Sequence, residues 1–194
     1  MLFRKKHEFR PDKTHSGSLS KLYITKKQRM AIAKWLLMAF AMVILSVLQD
    51  VILSKLWLFG TTTDLVPCAI IMVCIMHDPD AGSIFALVSA SLYWFSGSAP
   101  GPYVIAMLTV LGVVASIFRG SFLHKSFGST YLCTAVAVMV YELVLFTVGL
   151  LLGHATLSRL TGFLITGALS LAVAPLLYPI FFAIRKIGGE SWKE

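Results

Sequence analysis

Six apolar blocks separated by short polar interruptions dominate this chain. They cover residues 30–48, 65–76, 81–95, 103–118, 129–152 and 160–184. None alternates apolar and polar positions as a barrel strand does, so the pattern predicts helices. A membrane-spanning helix needs about 20 mostly apolar residues. The twelve-residue second block falls short of that and reads as a re-entrant or shortened helix buried by its neighbours. The interruptions carry their own signals. His77-Asp78-Pro79-Asp80 is a turn, because Pro79 restricts Asp78 and stops the preceding helix. Residues 96–102 hold two glycines, two prolines and two serines and read as a loop. The stretch Gln49 to Gly60 is amphipathic and aromatic, and is expected to lie along the outer interface with Trp57 at headgroup level. Pro175 and Pro179 stand one helical turn apart late in the last block, where the helix is expected to kink or end.

Composition turns this pattern into a class. The chain of 194 residues is 57% hydrophobic and 13% charged, with a mean hydropathy of +0.81. A soluble domain of this size has too little polar surface in such a composition. The expected fold is an all-α polytopic membrane bundle of about six transmembrane helices. It divides into a basic, disordered cytoplasmic tail over residues 1–30, a single helical domain over 31–186, and a short cytoplasmic tail over 187–194. No clean small-residue cleavage site follows the basic segment, so the first block is expected to be a retained span.

The net charge of +8 gains meaning from its placement. Nine of the 17 basic residues precede Ala31. With six spans and both termini inside, Lys34, Arg119, Lys125, Arg185, Lys186 and Lys193 join them on the inner side. Only Lys55 and Arg159 remain outside. This asymmetry follows the positive-inside rule, and the basic tail suits an anionic lipid surface. With no folded basic module, nucleic acid is not an expected partner.

Glu142 is the only acidic residue between Asp80 and Glu190, and it lies inside an apolar block. A carboxylate at mid-membrane depth costs about 2.5–3.5 kcal/mol on insertion scales, so something must offset it. A relay needs a chain of ionisable groups, and no Asp, His, Lys or Arg accompanies Glu142 at similar depth. The expected role is a polar anchor tying the fifth helix to neighbouring hydroxyls, with Tyr141 as an adjacent hydrogen-bonding group. Small residues recur every four positions in three blocks: Gly82, Ala86 and Ala90; Gly112, Ser116 and Gly120; Gly162, Thr166, Ser170 and Ala174. Such stripes let helices approach closely. Packing within the bundle is the preferred reading, and a homodimer face draws on the same signal.

Other chemistry is sparse. His77, Asp78 and Asp80 crowd one turn without a distant partner, a weak pattern for a metal. Ser96, Ser98 and Ser121 have no membrane-buried histidine to serve as base. Cys68, Cys74 and Cys133 fit no metal or disulfide spacing and are expected to pack as small apolar residues. Neither catalysis nor a cofactor is expected.

Several short segments, taken in order from Leu45 to Arg185, resemble the rod shape-determining protein MreD family. They are Val47-Leu48-Gln49 at the end of the first span, Gly60 followed by Asp64-Leu65-Val66, and Gly82 opening the third helix. The Gly-Pro loop before the fourth helix, Tyr141-Glu142-Leu143 in the fifth and Ala174-Pro175-Leu176-Leu177-Tyr178-Pro179 in the sixth complete the series. The chain departs from the family where Thr63 replaces a frequent proline before Asp64, and where Leu92-Tyr93-Trp94 stands in place of an Asp late in the third helix.

The resemblance implies a non-enzymatic component of the bacterial elongasome in the inner membrane, supporting lateral peptidoglycan synthesis and rod shape. It implies binding to an MreC-like bitopic protein and, directly or through it, to MreB, RodA and a class B penicillin-binding protein. Tyr141, Glu142, Pro175, Tyr178 and Pro179 are the candidates for a partner-helix face or a structural polar site. The family fold resembles the substrate-binding subunits of energy-coupling-factor vitamin transporters, which supplies the alternative function. That alternative predicts an outward-facing polar pocket. The segments 49–64, 96–102 and 153–159 are short and sparsely polar, which counts against it.

Overall fold

A computed structural model of the protein describes residues 26–55, 61–122 and 126–187. They form six α-helices: α1 (Lys26–Val51), α2 (Leu65–Met76), α3 (Pro79–Phe95), α4 (Tyr103–Phe122), α5 (Phe127–Leu151) and α6 (Leu160–Lys186). The expected blocks match these elements, and α2 matches residue for residue. Helix α1 begins inside the expected tail, so residues 26–30 are helical. Most of the basic tail, Trp57, His124 and Lys125 lie outside the described residues.

Four helical segments are long and apolar enough to cross a membrane: Gln28–Lys55, Tyr103–Gly120, Phe127–Leu151 and Leu157–Lys186. Helix α3 has 17 residues and α2 only 12. At 1.5 Å per residue α2 is about 18 Å long, well short of a bilayer core. It occupies the middle of the bundle instead. All twelve of its residues are buried, and it touches every other helix. A helix apolar on all sides sits either in lipid or in a protein core, and α2 is the core that the other five surround.

A buried short helix leaves backbone groups at both ends out of reach of water. Side chains from other helices meet them. At the N-terminal end, Gln49 of α1 accepts the Val66 N–H at 2.9 Å, and Ser170 of α6 accepts the Asp64 N–H at 2.9 Å. At the C-terminal end, Arg119 of α4 donates to the Ile75 carbonyl at 2.6 Å, and Ser116 donates to the His77 carbonyl at 3.1 Å. A cation on the last carbonyls also suits the helix dipole. Arg119 therefore serves the bundle interior.

The stripes of α3 and α4 pack as expected. Gly82, Ala86 and Ala90 are buried, as are Gly112 and Ser116, whereas Gly120 is exposed. A methyl group at Gly112 would sit 2.9 Å from the Cys74 sulfur, and one at Gly82 would sit 3.3 Å from the Cys74 backbone. Helices α2, α3 and α4 thus meet closest at Cys74 (a free, buried thiol like Cys68 and Cys133).

Neither Pro175 nor Pro179 ends α6, which runs on to Lys186. Proline at 175 cannot donate to the Leu171 carbonyl four residues earlier. Tyr131 of α5 supplies the missing donor, its hydroxyl lying 3.3 Å from that carbonyl. A neighbouring side chain therefore repairs the ladder, and the helix continues.

Candidate functional site

A cavity of about 670 Å³ opens at the end of the bundle where α1 and α3 finish and α2 and α6 begin. Its lining includes Gln49 of α1, the segment Thr61–Asp64, Tyr93 and Ser98, Glu142 and Leu145 of α5, and residues of α6 from Thr161 to Thr166. Ser158 and Arg159 complete the lining and are exposed to solvent. The expectation that these short, sparsely polar segments count against a pocket is overturned. Each segment adds only a few polar side chains, but the fold brings all three segments to one place.

Asp64 is the organising group. Gln49 Nε2 donates to its Oδ1 at 2.8 Å, and the Tyr93 hydroxyl lies 2.8 Å from Oδ2 and 3.0 Å from Oδ1. Its own N–H is taken by Ser170, whose hydroxyl in turn donates to the Thr166 carbonyl at 2.8 Å. The carboxylate also stands at the N-terminus of α2, where the helix dipole favours negative charge. Side chains from α1, α3 and α6 thus fix one acid at the head of the central helix. Gln49 points into the bundle here, so the start of the 49–60 stretch does not lie along the interface.

Glu142 behaves differently. It is 2% exposed and lines the same cavity, yet it accepts no hydrogen bond from the described residues. The expected anchoring by serine or threonine hydroxyls is therefore not what is found. The reason is local. The stem of Glu142 lies against Gly167, where an added methyl would come within 3.1 Å of its Cγ. Glycine makes room for the side chain but offers no polar group to it. Among the described residues, the buried Tyr141 hydroxyl beside it also has no partner, nor does the Thr63 hydroxyl on the cavity wall.

The five candidate partner-face residues separate into two sets. Tyr141 and Glu142 face the bundle interior. Pro175 and Pro179 are exposed on α6, and Tyr178 is half-buried against Phe127, its ring centroid 4.6 Å away. The stripe of α6 changes meaning as well. Gly162 and Thr166 line the cavity and Ser170 holds Asp64, so these small residues also build the site, while Ala174 is fully buried in the bundle. Gln49, Asp64 and Tyr93 were not singled out as a site by their sequence positions. The one available signal was Asp64 placed directly before a wholly apolar helix.

At the opposite end, His77 Nδ1 lies 3.0 Å from the Val73 carbonyl. Among the described residues no group of three or more His, Cys, Asp or Glu is placed to hold a metal ion.

Fold and site define an all-helical bundle of the membrane type, with a polar cavity at one end of a buried central helix. No family model, no curated protein and no solved structure matches the chain.

Proposed function

We propose that the chain is a non-enzymatic MreD-like scaffold of the bacterial inner membrane. In this reading both termini are cytoplasmic, and the chain binds an MreC-like bitopic protein in support of lateral peptidoglycan synthesis and rod shape. The observation that carries the proposal is where the MreD-like segments meet. Gln49, from the end of the first span, bonds both Asp64 and Val66 of the Asp-Leu-Val segment. Glu142, from Tyr-Glu-Leu, lines the cavity above them. Three of the segments that carry the resemblance thus meet around the head of α2. The lipid-facing surfaces of α1 and α6 remain for a partner helix. Leu36, Phe40, Val43, Ile44 and Val47 of α1, and Pro175, Leu176 and Pro179 of α6, are all exposed.

Depletion in the native bacterium tests this reading, with cell shape and MreC co-purification as readouts. Rounded cells and a stable complex are the expected result. Normal shape and no complex would refute it.

A second reading, a substrate-binding subunit of a vitamin transporter, is favoured by the cavity itself. Its volume falls within the 300–1,000 Å³ typical of small-molecule sites. Tight vitamin binding by the purified protein, together with normal shape on depletion, would select it.

A further inference from the structure

We infer that the cavity is a binding site for a small organic cation, an ammonium compound carrying further hydrogen-bonding groups, with Glu142 as its counter-ion. The inference holds whether the chain is a scaffold or a transporter subunit, because it rests only on the cavity.

Size excludes the smallest occupants. A volume of about 670 Å³ exceeds what a lone ion or one intruding side chain fills. Chemistry then selects the class. Asp64 already accepts from Gln49 and, through both of its oxygens, from Tyr93. Glu142, by contrast, is nearly inaccessible to solvent, its stem is packed on Gly167, and no described residue donates to it. A buried carboxylate without a donor is costly, and a charge-assisted hydrogen bond from a cation is the strongest remedy. The Thr63 hydroxyl on the same wall is likewise buried without a partner among the described residues. Two unmet polar groups in one roomy cavity describe a site shaped for something that brings donors.

The charge pattern agrees. The only basic residue among the described lining is Arg159, which lies exposed at the mouth. The interior therefore has two acids and no cation, and an anionic ligand would meet Glu142 unscreened. Hydroxyls of Thr62 and Thr166 on the wall offer hydrogen bonds to the rest of the ligand. Leu145 and Phe163 give it an apolar wall.

The test uses the full chain purified in nanodiscs, with binding followed by calorimetry and thermal shift. Two matched pairs serve as probes: glucosamine against glucose, and 1,4-diaminobutane against 1,4-butanediol. At least one amine is expected to bind saturably and raise the melting temperature, while its neutral counterpart does not. Glu142→Gln should weaken that binding by roughly tenfold or more, the weight of one charge-assisted hydrogen bond. Thr166→Leu, which narrows the cavity and leaves Glu142 in place, should weaken it as well. This second variant keeps the inference exposed should Glu142→Gln fail to fold. Amines and neutral compounds binding alike would overturn the assignment. So would unchanged amine affinity in either folded variant, or no amine binding at millimolar concentration, which would leave the cavity to water.

Discussion

Gln49 donates to Asp64 at 2.8 Å while its carbonyl accepts the Val66 N–H, so one amide closes both the side chain and the backbone at the head of α2. No apolar residue can do this, and the buried N–H has no water to fall back on. Gln49→Leu should therefore destabilise the protein by about 1–3 kcal/mol, the cost of unsatisfied buried groups. Gln49→Glu should be worse, because it sets a second carboxylate against Asp64 and removes the amide donor. Thermal unfolding in detergent, read by size-exclusion fluorescence, orders the three proteins.

The repair of α6 by Tyr131 gives a coupled pair. Tyr131→Phe leaves the Leu171 carbonyl without a donor and should cost about 1 kcal/mol. Pro175→Ala restores a backbone donor to the same carbonyl. The tyrosine should therefore matter less in the Pro175→Ala background. Equal losses in both backgrounds, measured as a double-mutant cycle, would show that the hydroxyl does not serve this role.

The contact of α2 with α4 allows no extra atom. Gly112→Ala puts a methyl 2.9 Å from the Cys74 sulfur, and overpacking of this kind costs about 1–3 kcal/mol. Removing the sulfur should relieve the clash. Cys74→Ala is thus expected to recover part of the stability lost in Gly112→Ala, although alone it deletes the thiol bond to the Gly82 carbonyl.

Glu142 should cost stability where it stands. Its replacement, Glu142→Gln, keeps the shape and exchanges a carboxyl group with no described donor for a neutral amide. Without added ligand the variant should melt at the same temperature as the parent protein or above it. A clear fall in melting temperature would reveal a stabilising contact for the carboxylate.

Orientation can be read with thiol reagents, since the three native cysteines are buried. Ser158→Cys, exposed at the cavity mouth, should react with a membrane-impermeant maleimide in intact cells or spheroplasts. Arg29→Cys, near the start of α1, should react only after permeabilisation. The reverse pattern would invert the topology.

Much of the bundle is legible in local signals. Asp64 before the second block and His77-Asp78-Pro79 after it bracket α2 to the residue, because turn chemistry and hydropathy change together there. Glu142 stands out by its isolation. Its surroundings do not, because they come from positions far apart: Asp64 meets Gln49 across 15 residues, Tyr93 across 29 and Ser170 across 106. No periodicity records such meetings. The stripe Gly162, Thr166, Ser170 shows the same limit. Small polar residues suit both a close crossing and a cavity wall, and only the neighbour decides which. Arg119 gives a third case, since a basic residue at a helix end serves topology and capping alike. Pro175 does not end its helix, because the donor that completes the ladder lies in α5.

The burial of α2 also bears on how the protein is made. A nascent segment enters the bilayer by offering its apolar surface to lipid, and twelve residues offer too little to hold a span alone. Helix α2 is nonetheless synthesised before α3, α4, α5 and α6, all of which cover it in the finished bundle. It must therefore wait, loosely held, until the later helices arrive. The centre of this protein is among the first parts translated and the last to find its place.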